Sequence, residues 1–280
     1  MSKSTFEEEN MNKYLKKTAK ILSIILAFFA VVILGVYFFV FRLNFMRSPM
    51  HKESSNKKYF ATPENHSRHI ADKDFILALE PKMHEIESFD GLKLRAYVLD
   101  CASGATESRG TILLMHGFHS DPLREFATLA RFYYESGFNV VLPFQRAHGE
   151  SEGQYLTFGI KERFDCRDWL NECTKIFGTE KPLYMEGISM GCTTVLLTSA
   201  LDGLPPNLCA VIADCGFTSP YEIISFVAKK EYHLPFSDIL IAIGKRNGKQ
   251  FSWLRLKRMF HTDRIEEKSA SSAFHSRHSR

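Results

Sequence analysis

The segment Gly187-Ile188-Ser189-Met190-Gly191 sets a serine between two glycines. A strand-like run, Pro182-Leu183-Tyr184-Met185-Glu186, precedes it, and Cys192-Thr193-Thr194-Val195-Leu196-Leu197 follows in helix-compatible spacing. The chemistry such a pattern serves is nucleophilic. A sharp strand-to-helix turn lifts the serine Oγ clear of a sheet, and glycines flank it because side chains there would collide with strand or helix. A neutral hydroxyl attacks poorly unless a base takes its proton and a third group orients that base. Three fixed positions recur by chance in roughly one chain in ten of this length. The surrounding elements therefore decide what the serine is.

Those elements alternate between strand and helix. Residues 85–99 read as a hairpin around Phe89-Asp90-Gly91, with Asp-Gly supplying the turn. Residues 111–115 are uniformly apolar apart from Thr111, as suits a strand in the middle of a parallel sheet, and they end in His116-Gly117-Phe118. Asp121 then caps a helix with Pro122 at its first position, and Gly137 stops it. Residues 139–142 give a further strand, 161–177 a helix, 182–186 the strand before the serine and 208–213 one more strand. Alternation with short links predicts a doubly wound, mostly parallel α/β sheet.

Five linked motifs carry a more specific resemblance. They are His116-Gly117-Phe118, Arg146-Ala147-His148-Gly149-Glu150-Ser151-Glu152-Gly153, Glu162-Arg163-Phe164-Asp165, Gly187-Ile188-Ser189-Met190-Gly191 and Ala213-Asp214-Cys215-Gly216-Phe217-Thr218-Ser219-Pro220. Together they span roughly residues 85–220, and the chain resembles the α/β-hydrolase superfamily. Within it, the chain is most similar to bacterial membrane-anchored serine hydrolases of the peptidase and esterase type. The resemblance implies an α/β-hydrolase fold with Ser189 as nucleophile. It also implies an oxyanion hole built from the backbone N–H groups of Met190 and Phe118. Such donors act on charge that exists only in the tetrahedral intermediate, and losing one costs about 3–4 kcal/mol in sites of this type.

His116 and His148 lie in motifs that shape loops, whereas the family's catalytic histidine comes last in the chain. Arg146, Glu162 and Asp165 suit an ion-pair network beneath the loop, with substrate contact as the other reading. Phe144 departs from the family pattern, which carries aspartate two positions before the arginine. That change touches the loop's hydrogen bonding more than the nucleophile. Ser219-Pro220-Tyr221-Glu222 forms a capping box that starts a helix over about 220–230, the beginning of a cap-like segment.

The expected order is serine, then an acid after a further strand, then a late histidine. Beyond residue 249 that order is not met. Asp263 and His261 lie near where the acid would fall, with no strand to deliver them. His275 and His278 sit in a low-complexity tail. The triad acid and histidine are therefore unassigned. The last strands of the fold are expected to be absent, leaving residues 208–213 as an exposed apolar edge, and the expectation is a truncated or frame-shifted copy of a hydrolase. A non-catalytic, membrane-tethered binding module is the rival reading.

Upstream, the apolar run from Ile21 to Phe41 carries no charge and is long enough to cross a hydrocarbon core of about 30 Å. Lys13, Lys16, Lys17 and Lys20 precede it, and Arg42 and Arg47 follow. No small-x-small cleavage site ends it, which favours an uncleaved signal anchor over a cleaved signal peptide. The slight excess of lysines before it points to a cytoplasmic N-terminus and an extracytoplasmic body.

The expected organisation is thus a basic tail (1–20), a membrane anchor (21–41), a juxtamembrane linker (42–75), the hydrolase core (76–216), a helical cap-like segment (217–258) and a divergent tail expected to be disordered (259–280). A net charge of +4 over 280 residues gives no reason to expect a nucleic-acid partner. The partners expected are membrane lipid and a small-molecule or peptide acyl substrate. Six scattered cysteines without a C-x-x-C pair read as mostly buried thiols. Neither metal nor cofactor is expected.

Overall fold

The computed structural model describes residues 3–47, 62–101, 107–217, 220–231 and 233. Two compact units divide at residue 46. The first holds helix α1 (Lys3–Phe45). Its stretch Met11–Phe39 is apolar enough to cross a membrane, by length and composition. Side chains such as Ile24, Phe28, Leu34 and Phe38 are exposed around it. A helix that is apolar on every side has no single face marked for packing. The helix exceeds the expected 21–41 segment at both ends.

The second unit begins at Arg47. Helix α2 (Pro63–Ala78) corrects the expectation of a linker running to residue 75. Thr62 caps it through Asn65 N, with Pro63 at the first helical position, the arrangement that satisfies an orphan N–H and pre-sets φ. His69, Asp72 and Ile76 share its buried face. The linker's lysines 52, 57 and 58 lie outside the described residues.

Strands β1 (Lys82–Glu87) and β2 (Lys93–Leu99) form the expected hairpin, joined by a five-residue connection at 88–92 rather than a two-residue turn. There follow β3 (Gly110–Met115), α3 (Pro122–Glu135), β4 (Phe138–Pro143), α4 (Glu162–Phe177), β5 (Leu183–Ile188), α5 (Met190–Ser199) and β6 (Leu208–Asp214). Helix α6 (Pro220–Phe226) runs on into a π-helical turn, Val227–Glu231. The rest of the expected cap-like segment, apart from His233, and the tail 259–280 lie outside the described residues, as does Ser219 of the capping box.

The six strands lie in the order β1-β2-β4-β3-β5-β6. β1, β2 and β4 pair antiparallel, and β4, β3, β5 and β6 pair parallel. Side chains alternate across a strand, so β3 sends Leu113 and Met115 to one face and Ile112 and Leu114 to the other. On the first face they meet Trp169, Leu170 and Cys173 of α4 and Val195 of α5. On the second they meet Phe126 and Ala130 of α3 and Ile76 of α2. A sheet covered on both faces explains why β3 and β4 read as continuous apolar runs.

Candidate active site

β5 leads into α5 through Ser189, whose backbone stands at φ 54° and ψ −113°. That conformation costs an L-residue on the order of 1–3 kcal/mol and persists only where its surroundings enforce it. Here they do. A Cβ on Gly187 would overlap the Gly191 carbonyl, and one on Gly191 would overlap the Met115 carbonyl at the end of β3. Ser189 N donates to Asp214 O at 2.9 Å, tying the turn to the end of β6, and Thr193 N donates to Ser189 O at 3.2 Å as α5 begins. The Met190 N–H is among the first amides of that helix, which have no partner within it.

Opposite lies the turn after β3. His116 is fully buried. Its Nδ1 donates to Gly117 O at 2.8 Å, and its Nε2 accepts from Gln145 N at 3.1 Å. Because Gly117 O and Phe118 N–H belong to one trans peptide, the grip on the oxygen also aims the N–H. His148 repeats the pattern. Nδ1 donates to Arg146 O at 2.9 Å and Nε2 accepts from His119 N at 3.1 Å. The two rings meet edge to face at 4.8 Å. All four ring nitrogens are thus committed to backbone groups, and both histidines are loop braces. Burial pulls the His116 pKa down to about 4, and burial together with His116 holds His148 well below its ordinary value.

Arg146 makes a bidentate pair with Asp165 at 2.6 Å and a second with Asp90 at 3.0 Å. Glu162 acts on this pair through its charge, while its hydrogen bonds go elsewhere. Its carboxylate accepts from Thr157 N at 2.8 Å and Gly159 N at 3.0 Å, closing the loop before α4. The sequence pattern points to Arg146 and Asp165 but not to Asp90, whose residue type there reads as a turn former. Lys161 and Ser88 also hold Asp90, at 2.8 and 2.9 Å. Burial acts to raise the Asp90 pKa, but these hydrogen bonds outweigh it and hold it well below the carboxylate range.

Phe144, the departure from the family pattern, is buried against Tyr97 at 5.2 Å. The hydrogen bonding of the loop falls to Ser151, whose Oγ donates to Phe144 O at 2.6 Å and accepts from Arg95 N at 2.8 Å. Arg47 fastens the same loop. Its N–H donates to Gln154 O at 2.8 Å and its guanidinium to Ser151 O at 2.6 Å and to Gly149 O. Its charge reads in the sequence only as a membrane flank.

Apolar walls flank the serine. Phe118 stacks on His119 at 4.0 Å and on Phe158 at 5.5 Å, and Phe158 meets Phe217 edge to face at 6.2 Å. Leu156, Met190 and Ala147 are buried beside them. Thr193 Oγ1 donates to Phe217 O at 2.9 Å and accepts from Phe217 N at 3.0 Å, which fixes that wall to α5. Glu125, in the first turn of α3, takes the Gly117 N–H through Oε2. Asp263, His261, His275 and His278 lie outside the described residues. Among the described residues, none of the groups that could hold a metal is clustered.

A mostly parallel sheet wound on both faces, with a serine on a forced turn between β5 and α5, defines an α/β-hydrolase architecture. No family model matches the chain. An uncharacterised protein, YqkD of Bacillus subtilis (strain 168), is 26% identical over 177 residues, covering 59% of this chain and 56% of YqkD. Among solved structures, the Pyrococcus furiosus esterase Pf2001 is 24% identical with a TM-score of 0.47, covering 60% of this chain and 62% of its own. Est1E from Butyrivibrio proteoclasticus, with ferulic acid bound, is 22% identical with a TM-score of 0.40, covering 46% and 50%. The chain spans less than two thirds of the length of each of these relatives.

Proposed function

We propose that this chain derives from a membrane-anchored serine hydrolase in which Ser189 attacks an ester, thioester or peptide carbonyl. The observation that carries the reading is the backbone of Ser189, held at φ 54° by glycines that admit no side chain. Strain of this kind serves no packing purpose in a surface turn, whereas it presents a hydroxyl at the end of a sheet. Attack would give a tetrahedral intermediate whose oxyanion meets the N–H groups of Met190 and Phe118, and its collapse would break the bond to the alcohol, thiol or amine, which leaves, and give an acyl-serine. The aromatic and aliphatic walls around Phe118, Phe158 and Phe217 suit an apolar acyl group. The apolar run of α1 would anchor the protein in lipid in a single pass, N-terminus in the cytoplasm. Protease protection of the body in sealed vesicles tests that orientation.

One observation favours a second reading, a tethered binding module without turnover. His116 and His148, the two buried histidines beside the elbow, are committed to backbone bonds, and neither is left to take the proton of Ser189. Without its histidine a serine hydrolase loses about six orders of magnitude in kcat. Labelling of the full chain in detergent with a fluorophosphonate, beside Ser189→Ala, separates the two. Labelling that needs Ser189 supports the hydrolase, and equal labelling of both proteins sinks it.

A further inference from the structure

We infer that Glu125 is a positioning residue of the Ser189 site, holding the turn that carries the Phe118 N–H; the inference rests on the hydrolase reading for its purpose. Helix α3 delivers Glu125 rigidly. Asp121 caps that helix through Leu123 N at 3.1 Å and Arg124 N at 3.0 Å, and Pro122, Leu123, Phe126, Ala127 and Ala130 are buried beneath it. From the first turn, the Glu125 carboxylate reaches back and accepts the Gly117 N–H.

Gly117 lies between the carboxylate and the serine. A Cβ placed there would stand 3.0 and 3.2 Å from the two Glu125 oxygens and 3.3 Å from Ser189 Cβ. The acid therefore lies just across a bare glycine from Ser189. Both peptides that meet at Gly117 are gripped. Glu125 holds the N–H of the first, and His116 holds the carbonyl of the second at 2.8 Å. With both planes fixed, the Phe118 N–H has one direction, which is the preorganisation an oxyanion donor requires.

The placement of a carboxylate here has a cost that packing alone does not explain. Burial raises the Glu125 pKa, while the Gly117 N–H lowers it. A negative charge beside a developing oxyanion is also unfavourable. What the position uses is the acceptor oxygen on a fixed stem, and a glutamine keeps that oxygen. The two properties can therefore be separated by substitution.

The experiment compares the full chain in detergent with Glu125→Gln and Glu125→Ala. Two readouts are followed: amide hydrogen exchange of the 115–120 segment, and the rate of fluorophosphonate labelling at Ser189. Glu125→Ala is expected to speed exchange at Gly117 while β3 and α3 keep their protection, and to slow labelling about 100-fold, the scale of a small misplacement at a reacting centre. Glu125→Gln is expected to restore exchange protection and to recover most of the labelling rate. The inference is overturned if Glu125→Ala leaves both readouts unchanged. It is overturned equally if the glutamine variant behaves like alanine, or if protection is lost across β3 and α3 together. Should the unsubstituted chain not label at all, the hydrolase reading fails, and local exchange at Gly117 alone still decides whether Glu125 holds the turn.

Discussion

β3 and β6 lie on either side of β5 in one parallel sheet, yet every residue of β3 is buried and β6 is largely exposed. Ile112 is 2% exposed, and Ile212, on β6, is 41% exposed. The site is divided along the same line. Its β3 side carries the His116 turn, the braced loop and Glu125, all packed and hydrogen-bonded. Its β6 side offers Asp214, whose carbonyl holds Ser189 N while its side chain faces solvent. Most of the support around Ser189 is thus built into the covered half of the sheet, and the other half is open. Backbone position alone does not make a strand part of a core; cover on its faces does.

The sharpest break of the comparison is Gly191→Ala. Its Cβ would enter the Met115 carbonyl and lie 2.7 Å from His116 O, so β3 and α5 could not both keep their places. Backbone has no flexible end to move aside. A loss of about 4–5 kcal/mol or more is expected, at the far end of what single substitutions do. Urea unfolding followed by far-ultraviolet dichroism checks it, and a loss below 2 kcal/mol would show the two elements to be loosely joined.

Acid should reveal the same division next. His116 is neutral in the fold, its pKa pulled from 6.5 to about 4 by burial. Between those values the unfolded chain binds a proton that the folded chain does not. Stability from this group is therefore intact above about pH 6.5 and lost as the pH falls towards 4, by roughly 3 kcal/mol at most. His148 adds to the loss in the same direction. Unfolding free energies measured from pH 7 to 4 should fall less steeply in His116→Asn, and an unchanged slope would remove the histidine from the account.

How much of this was legible in the sequence follows from what each signal encodes. The elbow, the Asp121-Pro122 cap and the succession of strands and helices along the chain come from local patterns, and they read directly; the order of strands in the sheet does not. Helix α2 was missed because only three of its residues are buried and its outer face is polar, although Thr62-Pro63 announced its start. Asp90, Glu125 and Arg47 escaped because each acts across 8 to more than 50 residues of sequence on a partner that no local pattern names. Asp90 read only as a turn former and Arg47 only as a flank of the apolar run. β6 reads as a strand from its apolar residues, and the exposure expected of residues 208–213 is what the structure shows.

Ser151 is the next test, since it stands in for the hydrogen bonding that Phe144 cannot supply. Its hydroxyl is fully buried between Phe144 O and Arg95 N. Ser151→Ala leaves the Arg95 N–H without that acceptor and should cost about 1–3 kcal/mol. Melting followed by circular dichroism would register it. A neutral result would mean that Arg47, which holds the same loop, suffices without it.

The smallest effect is expected at the open edge. Ile212→Lys replaces a side chain already 41% in water, and its long stem can lie along the apolar surface while the charge stays solvated. A change within about 0.5 kcal/mol is expected, against about 3–5 kcal/mol for Trp169→Ala in the covered half. An apolar strand edge is also a template for pairing with another chain, and a lysine there blunts it. The variant should therefore self-associate less than the unsubstituted chain in sedimentation velocity while unfolding at nearly the same urea concentration. Destabilisation by more than 2 kcal/mol would mean that the Ile212 face is covered in solution, and the contrast between β3 and β6 would then fail.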